Sequence, residues 1–165
     1  MDKKALIDEI IDYIKVIIIT VCLTLLVLHF VQIARVVGDS MLPNYHEGNI
    51  VFVNKKFYHL KDCHYNDIVV AKAEIGYEEE EIIKRVMGLP GDTLTYDHGK
   101  LYRNGELLEE TYIKEPMDDD YQWEVTIPEG QIFIMGDNRN NSADSRDIGP
   151  VEFNQIVGKV FFKLF

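Results

Sequence analysis

The chain has 165 residues, enough for one domain and one membrane segment. Its net charge is −11, of which −10 falls in residues 35–165, and so acidic a surface speaks for solubility and against nucleic-acid binding. Two cysteines, Cys22 and Cys63, make no disulfide framework, and no C-x-x-C or H-E-x-x-H spacing points to zinc, so no cofactor is expected.

In residues 1–15, Leu6, Ile7, Ile10, Ile11 and Ile14 recur on one helical face, with Asp8, Glu9, Asp12 and Lys15 elsewhere. This predicts a short amphipathic helix that starts near Ala5. It runs on into residues 16–34, which are apolar except for Thr20, Thr24, His29 and Gln32. As a helix this second stretch is about 28 Å long at about 1.5 Å per residue, close to the ~30 Å of a hydrocarbon core. A cleaved signal peptide would have a shorter apolar region and a small-x-small site after it, and Gln32-Ile33-Ala34-Arg35-Val36-Val37 offers none. The stretch is therefore read as a single retained transmembrane helix. Lys3, Lys4 and Lys15 precede it and only Arg35 follows closely, which predicts a cytoplasmic N-terminus and an extracytoplasmic domain over residues 35–165.

That domain is predicted to be mostly β, with short antiparallel strands separated by turns. Strands are expected at residues 50–53, 68–71, 82–87, 131–135 and 158–162. Residues 100–103 and 106–108 flank Asn104-Gly105, the strongest hairpin signal in the sequence. Glu78, Glu79, Glu80 and Glu81 are read as a solvated turn, and residues 117–123 as an exposed loop.

Three segments are candidates for chemistry. The first is Gly38-Asp39-Ser40-Met41-Leu42-Pro43, whose Ser40 lies six residues past the span. Serine is a weak nucleophile until a base takes its proton. The second is Ile82-Ile83-Lys84-Arg85-Val86, whose apolar neighbours are suited to burying Lys84. Burial disfavours the ammonium and populates the neutral amine, which can act as a base. The third runs from Gly136 to Pro150 and is dense in Asn, Asp and Ser. Each has an ordinary reading: a lone serine, a lysine snorkelling from a strand, and a turn whose side chains satisfy its own backbone, with Asp144 and Arg146 as a structural brace. His46, His64 and His98 are read as surface residues.

Taken in order, the span, Gly-x-Ser-Met-x-Pro, Tyr65-Asn66-Asp67-Ile68-Val69-Val70, Lys84-Arg85-Val86-Met87-Gly88-Leu89-Pro90-Gly91-Asp92 and Gly136-Asp137-Asn138 through Arg146 closely resemble the bacterial type I signal peptidases. The resemblance implies a membrane-anchored Ser/Lys serine protease that removes signal peptides from exported preproteins. It implies Ser40 as nucleophile, Lys84 as general base, Ser142 as the hydroxyl that holds the lysine amine, and Asp144 and Arg146 as a supporting ion pair. The Ser40 backbone N–H would serve the oxyanion hole. Substrate would lie extended between Val36–Asp39 and Ile82-Ile83, with Val36, Val37, Gly38, Asp39, Met41, Ile82 and Ile83 as binding residues. The implied partners are preprotein signal peptides and the lipid bilayer.

The chain departs from the family pattern in three places. Gly38 stands where some members carry a second serine that completes the oxyanion hole, Asn44 stands in place of a usual Thr, and Asn140 in place of a common Asp. Gly38, the single span and the absence of large insertions resemble Gram-positive-type members. Two other readings compete: a non-proteolytic signal-peptidase-like assembly factor for surface structures, and a self-cleaving Ser/Lys repressor relative. Retention of both Ser40 and Lys84 argues against the first. The span and the lack of a basic DNA-reading helix argue against the second.

Overall fold

A computed structural model describes residues 3–56, 58–118 and 122–164. Helix α1 (Lys3–Phe30) is continuous and exposed along nearly its whole length. Leu6–Phe30 within it is the one helix among the described residues long and apolar enough to cross a membrane. The helix ends at Phe30, four residues before the predicted end of the span, and residues 31–35 form strand β1 (Val31–Arg35) instead. The reason is pairing: β1 runs antiparallel to β2 (Ile50–Asn54), from Val31 opposite Asn54 to Arg35 opposite Ile50. An apolar run reads alike as helix or strand, so its hydrophobicity did not mark the switch.

The remainder is β-rich and antiparallel throughout. After β2 come β3 (Ile68–Ile75), β4 (Glu78–Gly88), β5 (Thr93–Asp97), β6 (Lys100–Arg103), β7 (Glu106–Leu107), β8 (Trp123–Thr126), β9 (Gln131–Met135), the short helix α2 (Ser145–Ile148), β10 (Val151–Glu152) and β11 (Ile156–Leu164). One sheet has the order β1-β2-β11-β3-β4-β9-β10, and a smaller one β7-β6-β5-β8. The β6–β7 turn has Asn104 and Gly105 both at positive φ, as that dipeptide predicts.

The four glutamates do not form a turn. They are the exposed first third of β4, paired with Lys72–Ile75 of β3, and the reversal falls at Gly76-Tyr77, where Gly76 has φ +70. Glycine at the first of two loop residues suits the right-handed strand twist. Beyond Glu81 strand β4 dives inward, and Ile82, Ile83 and Lys84 are all buried. Consecutive burial means the strand is covered on both faces. Val69, Ala71, Val86, Ile132 and Ile134 pack in one apolar cluster, and Val36, Met41, Val51, Val53, Val70 and Ile83 in another. Met87, Leu94, Tyr96, Leu101, Ile127 and Phe133 form a third, which joins the two sheets.

Candidate active site

Strand β4 carries Lys84 at its centre, opposite Val69 of β3. The chain after β1 approaches it from the other side. It is tied to the Gly48-Asn49 turn by Val36 N–H to Asn49 O (2.8 Å) and Gly48 N–H to Val36 O (2.9 Å), then turns at Ser40. Lys84 Nζ donates to Ser40 Oγ at 2.9 Å. Lys84 is 3% exposed. Burial pushes its ammonium down to about 8; the Asp144 and Asp137 carboxylates pull the other way, and the Arg146 guanidinium adds to the fall. Desolvation outweighs the nearby carboxylates, so the neutral amine becomes accessible near neutral pH, where an ordinary lysine is almost wholly protonated.

The loop after β9 forms the floor. Asp144 is fully buried and binds four groups at once. It caps α2 by accepting the Arg146 N–H, takes the Gly136 N–H at 2.8 Å, the Ser142 hydroxyl at 2.8 Å, and both Nε and a terminal nitrogen of Arg146 at 2.8 Å. Burial alone would raise its carboxyl, but these hydrogen bonds and the Arg146 charge hold it below the usual carboxylate range. Ser142 thus bonds to Asp144, not to the lysine amine as the sequence suggested; among the described residues it makes no hydrogen bond to Lys84. Two strong acceptor oxygens and a cation nearby make Asp144 the better partner for its hydroxyl. Gly136 lies where a Cβ would overlap Ser142 Oγ and sit 2.6 Å from the Ser40 carbonyl oxygen, so only glycine lets the floor approach the nucleophile's backbone.

A second ion pair went unassigned in the sequence. Arg85 donates from Nε and a terminal nitrogen to the two oxygens of fully buried Asp137, each at 2.7 Å. Asn44 Nδ2 reaches the same carboxylate at 2.7 Å and the Tyr112 carbonyl at 2.6 Å. Asn44 therefore ties the chain after the nucleophile to the floor loop. The signal available was Arg85 next to Lys84 on a strand: alternation sends the two side chains to opposite faces, so each needs its own carboxylate.

A cleft of about 400 Å³ runs past Ser40 and Lys84, with Val36, Val37, Gly38, Asp39, Ile82 and Ile83 among its walls. Met41 is not among them. It is 1% exposed and packs in the core, because the turn at Ser40 carries the next side chain inward. Glu80 and Glu81, unassigned from sequence, line the cleft. His46, His64 and His98 are exposed. Cys22 and Cys63 are both free, and Cys63 is buried under Tyr58, whose hydroxyl donates to its sulfur at 2.9 Å.

Residues 10–165 match the family model described as signal peptidase, peptidase S26. A probable signal peptidase I-1 from Synechocystis is 38% identical over 93% of this chain and 82% of its own length. A signal peptidase I from Bacillus caldolyticus is 40% identical over 76% of this chain and 75% of its own. The crystal structure of a signal peptidase I from Enterococcus faecalis V583 aligns with a TM-score of 0.52 at 30% identity, covering 60% of this chain and 97% of that one.

Proposed function

This chain belongs to the signal peptidase, peptidase S26, family of serine proteases, and we propose that it removes signal peptides from exported preproteins through an acyl-enzyme on Ser40. The observation that carries the reading is the 2.9 Å contact between Ser40 Oγ and a buried Lys84 amine. When the amine is neutral the same contact runs the other way, with the hydroxyl donating to Nζ. Attack of Oγ on the scissile carbonyl then passes the hydroxyl proton to Lys84. The lysine returns that proton to the leaving amine as the C–N bond breaks. A water then gives its proton to the same amine and attacks the ester, and the lysine hands that proton to the departing Ser40 Oγ, which restores the hydroxyl and the neutral amine. One base serves both halves, as histidine does in the Ser-His-Asp triad.

In this reading α1 is the membrane anchor, the N-terminus is cytoplasmic, and the sheet domain from β1 onward is the extracytoplasmic catalytic domain. Asp144 holds the floor loop, Arg146 compensates its charge, and Ser142 joins them to the rim of the cleft. An extended substrate would lie between Val36–Asp39 and Ile82-Ile83. The test is preprotein cleavage in detergent by wild type, Ser40→Ala and Lys84→Ala. Cleavage by wild type alone is expected. Cleavage retained by either variant would sink the dyad. A wild type inactive on every exported substrate would favour the assembly-factor reading.

A further inference from the structure

We propose that Asn138 is a positioning residue that aims the oxyanion-stabilising N–H of Ser40. The proposal rests on the Ser40/Lys84 reading above. An asparagine in a Gly-Asp-Asn turn ordinarily satisfies its own backbone. Asn138 does not. Its side-chain Nδ2 crosses to the Asp39 carbonyl at 3.0 Å, and its backbone N–H donates to the Ser40 carbonyl at 2.9 Å. One residue thus grips two successive carbonyls of the turn that presents the nucleophile.

Asn138 is 1% exposed, and its Oδ1 is buried with no hydrogen-bond partner among the described residues. A buried unsatisfied acceptor costs a protein stability, whereas an apolar side chain of the same shape leaves no such atom. What the amide supplies here is its donor.

The consequence for catalysis comes from peptide geometry. The Asp39–Ser40 bond is trans. In a planar trans peptide the carbonyl and the following N–H point in opposite directions. Holding the Asp39 oxygen on Asn138 therefore turns the Ser40 N–H away from the floor loop. That N–H donates to no described group, and Asp39 and Ser40 both line the cleft. The other restraint on the Asp39 oxygen is the Leu42 N–H, at a longer 3.2 Å. Gly38 precedes this peptide at φ +76 and offers neither stiffness nor a side-chain donor. The orientation of the one identified oxyanion donor thus falls to Asn138.

The experiment compares wild type, Asn138→Leu, Asn138→Ala and Ser40→Ala as full chains in detergent. It uses a preprotein substrate and a peptide aldehyde ending in Ala, whose hemiacetal oxygen mimics the oxyanion. Removing an oxyanion donor outright costs about 10²–10³ in kcat. Misaiming it is expected to cost about ten- to a hundredfold in kcat, with KM within about threefold. The aldehyde should weaken in step with kcat, and the pH limb that reports the base should stay in place. Asn138→Ala gives the same readings should leucine disturb the packing, and melting curves report folding for both. Near-wild-type kcat in either folded variant overturns the proposal, as does a loss carried by KM or by a moved pH limb, with the dyad left standing. Cleavage by Ser40→Ala refutes the dyad and takes this proposal with it.

Discussion

Replacing Lys84 by methionine should inactivate the protein and stabilise it. Lys84 is 3% exposed, and its pKa falls from 10.5 to about 8. At about 1.36 kcal/mol per unit, holding the ammonium in place costs the fold ~3 kcal/mol at neutral pH. The hydrogen bond to Ser40 Oγ returns ~1 kcal/mol. Methionine fills a similar volume without the charge, so Lys84→Met should gain ~2 kcal/mol. That corresponds to roughly 4–8 °C in Tm for a chain of this size. The pH dependence has a definite sign. The folded pKa lies below the unfolded one, so between about pH 8 and 10.5 the unfolded wild type binds more protons and wild-type stability rises with pH. The advantage of Lys84→Met is therefore full below pH 8 and closes by pH 10.5. Thermal unfolding in detergent at pH 6 and pH 10 measures it. A variant less stable than wild type at pH 6, or a gap equal at both values, would refute the desolvation argument.

The kcat/KM profile of the wild type should rise through a limb near pH 8, and a limb at or above 10 would contradict a buried base. Gly136→Ala should abolish cleavage and lower Tm, because its Cβ would overlap Ser142 Oγ and crowd the Ser40 carbonyl; an active Gly136→Ala would mean that the floor yields. Asp144→Asn leaves Arg146 half-buried without its carboxylate and should lower stability by ~3 kcal/mol, read from denaturant midpoints. Since the Asp144 carboxyl is held below its usual range, the wild type loses that stability as pH falls through the acid range, and Asp144→Asn should show a shallower acid slope. Asn44→Ala removes two hydrogen bonds from the Tyr112 carbonyl and Asp137 and should cost ~1–3 kcal/mol in a urea titration.

Turn chemistry and long apolar strands were legible in the residues. Asn104-Gly105 makes the hairpin it predicts, and β2, β3, β4, β9 and β11 fall on the runs richest in Val, Ile and Phe. Strands β5 and β8 were not, because Thr93–Asp97 and Trp123–Thr126 are short, half polar and held by each other across the small sheet. Trp123 in particular reads as the end of a loop until Tyr96 and Phe133 stack on either side of it. In the site, order along the chain brought Ser40, Lys84 and the floor loop to notice, since each is a local pattern. The partners of Asp137, Asn138 and Ser142 were not visible, because they are choices among neighbours that only the packed loop supplies. Met41 illustrates the same limit, since adjacency to Ser40 says nothing about which way a turn sends the next side chain.

Helix α1 passes into β1 with no residue between them, and the Lys55 N–H fastens the carbonyl of Phe30, the last helical residue, at 3.0 Å. Five of the residues between Phe30 and Ser40 are locked in the register of β1 with β2. With α1 seated in a bilayer, the chain has no tether whose length could vary. On the proposed reading, the height of Ser40 above the lipid would then be a built-in gauge, and a scissile bond would qualify by the depth at which it leaves the membrane as well as by its sequence.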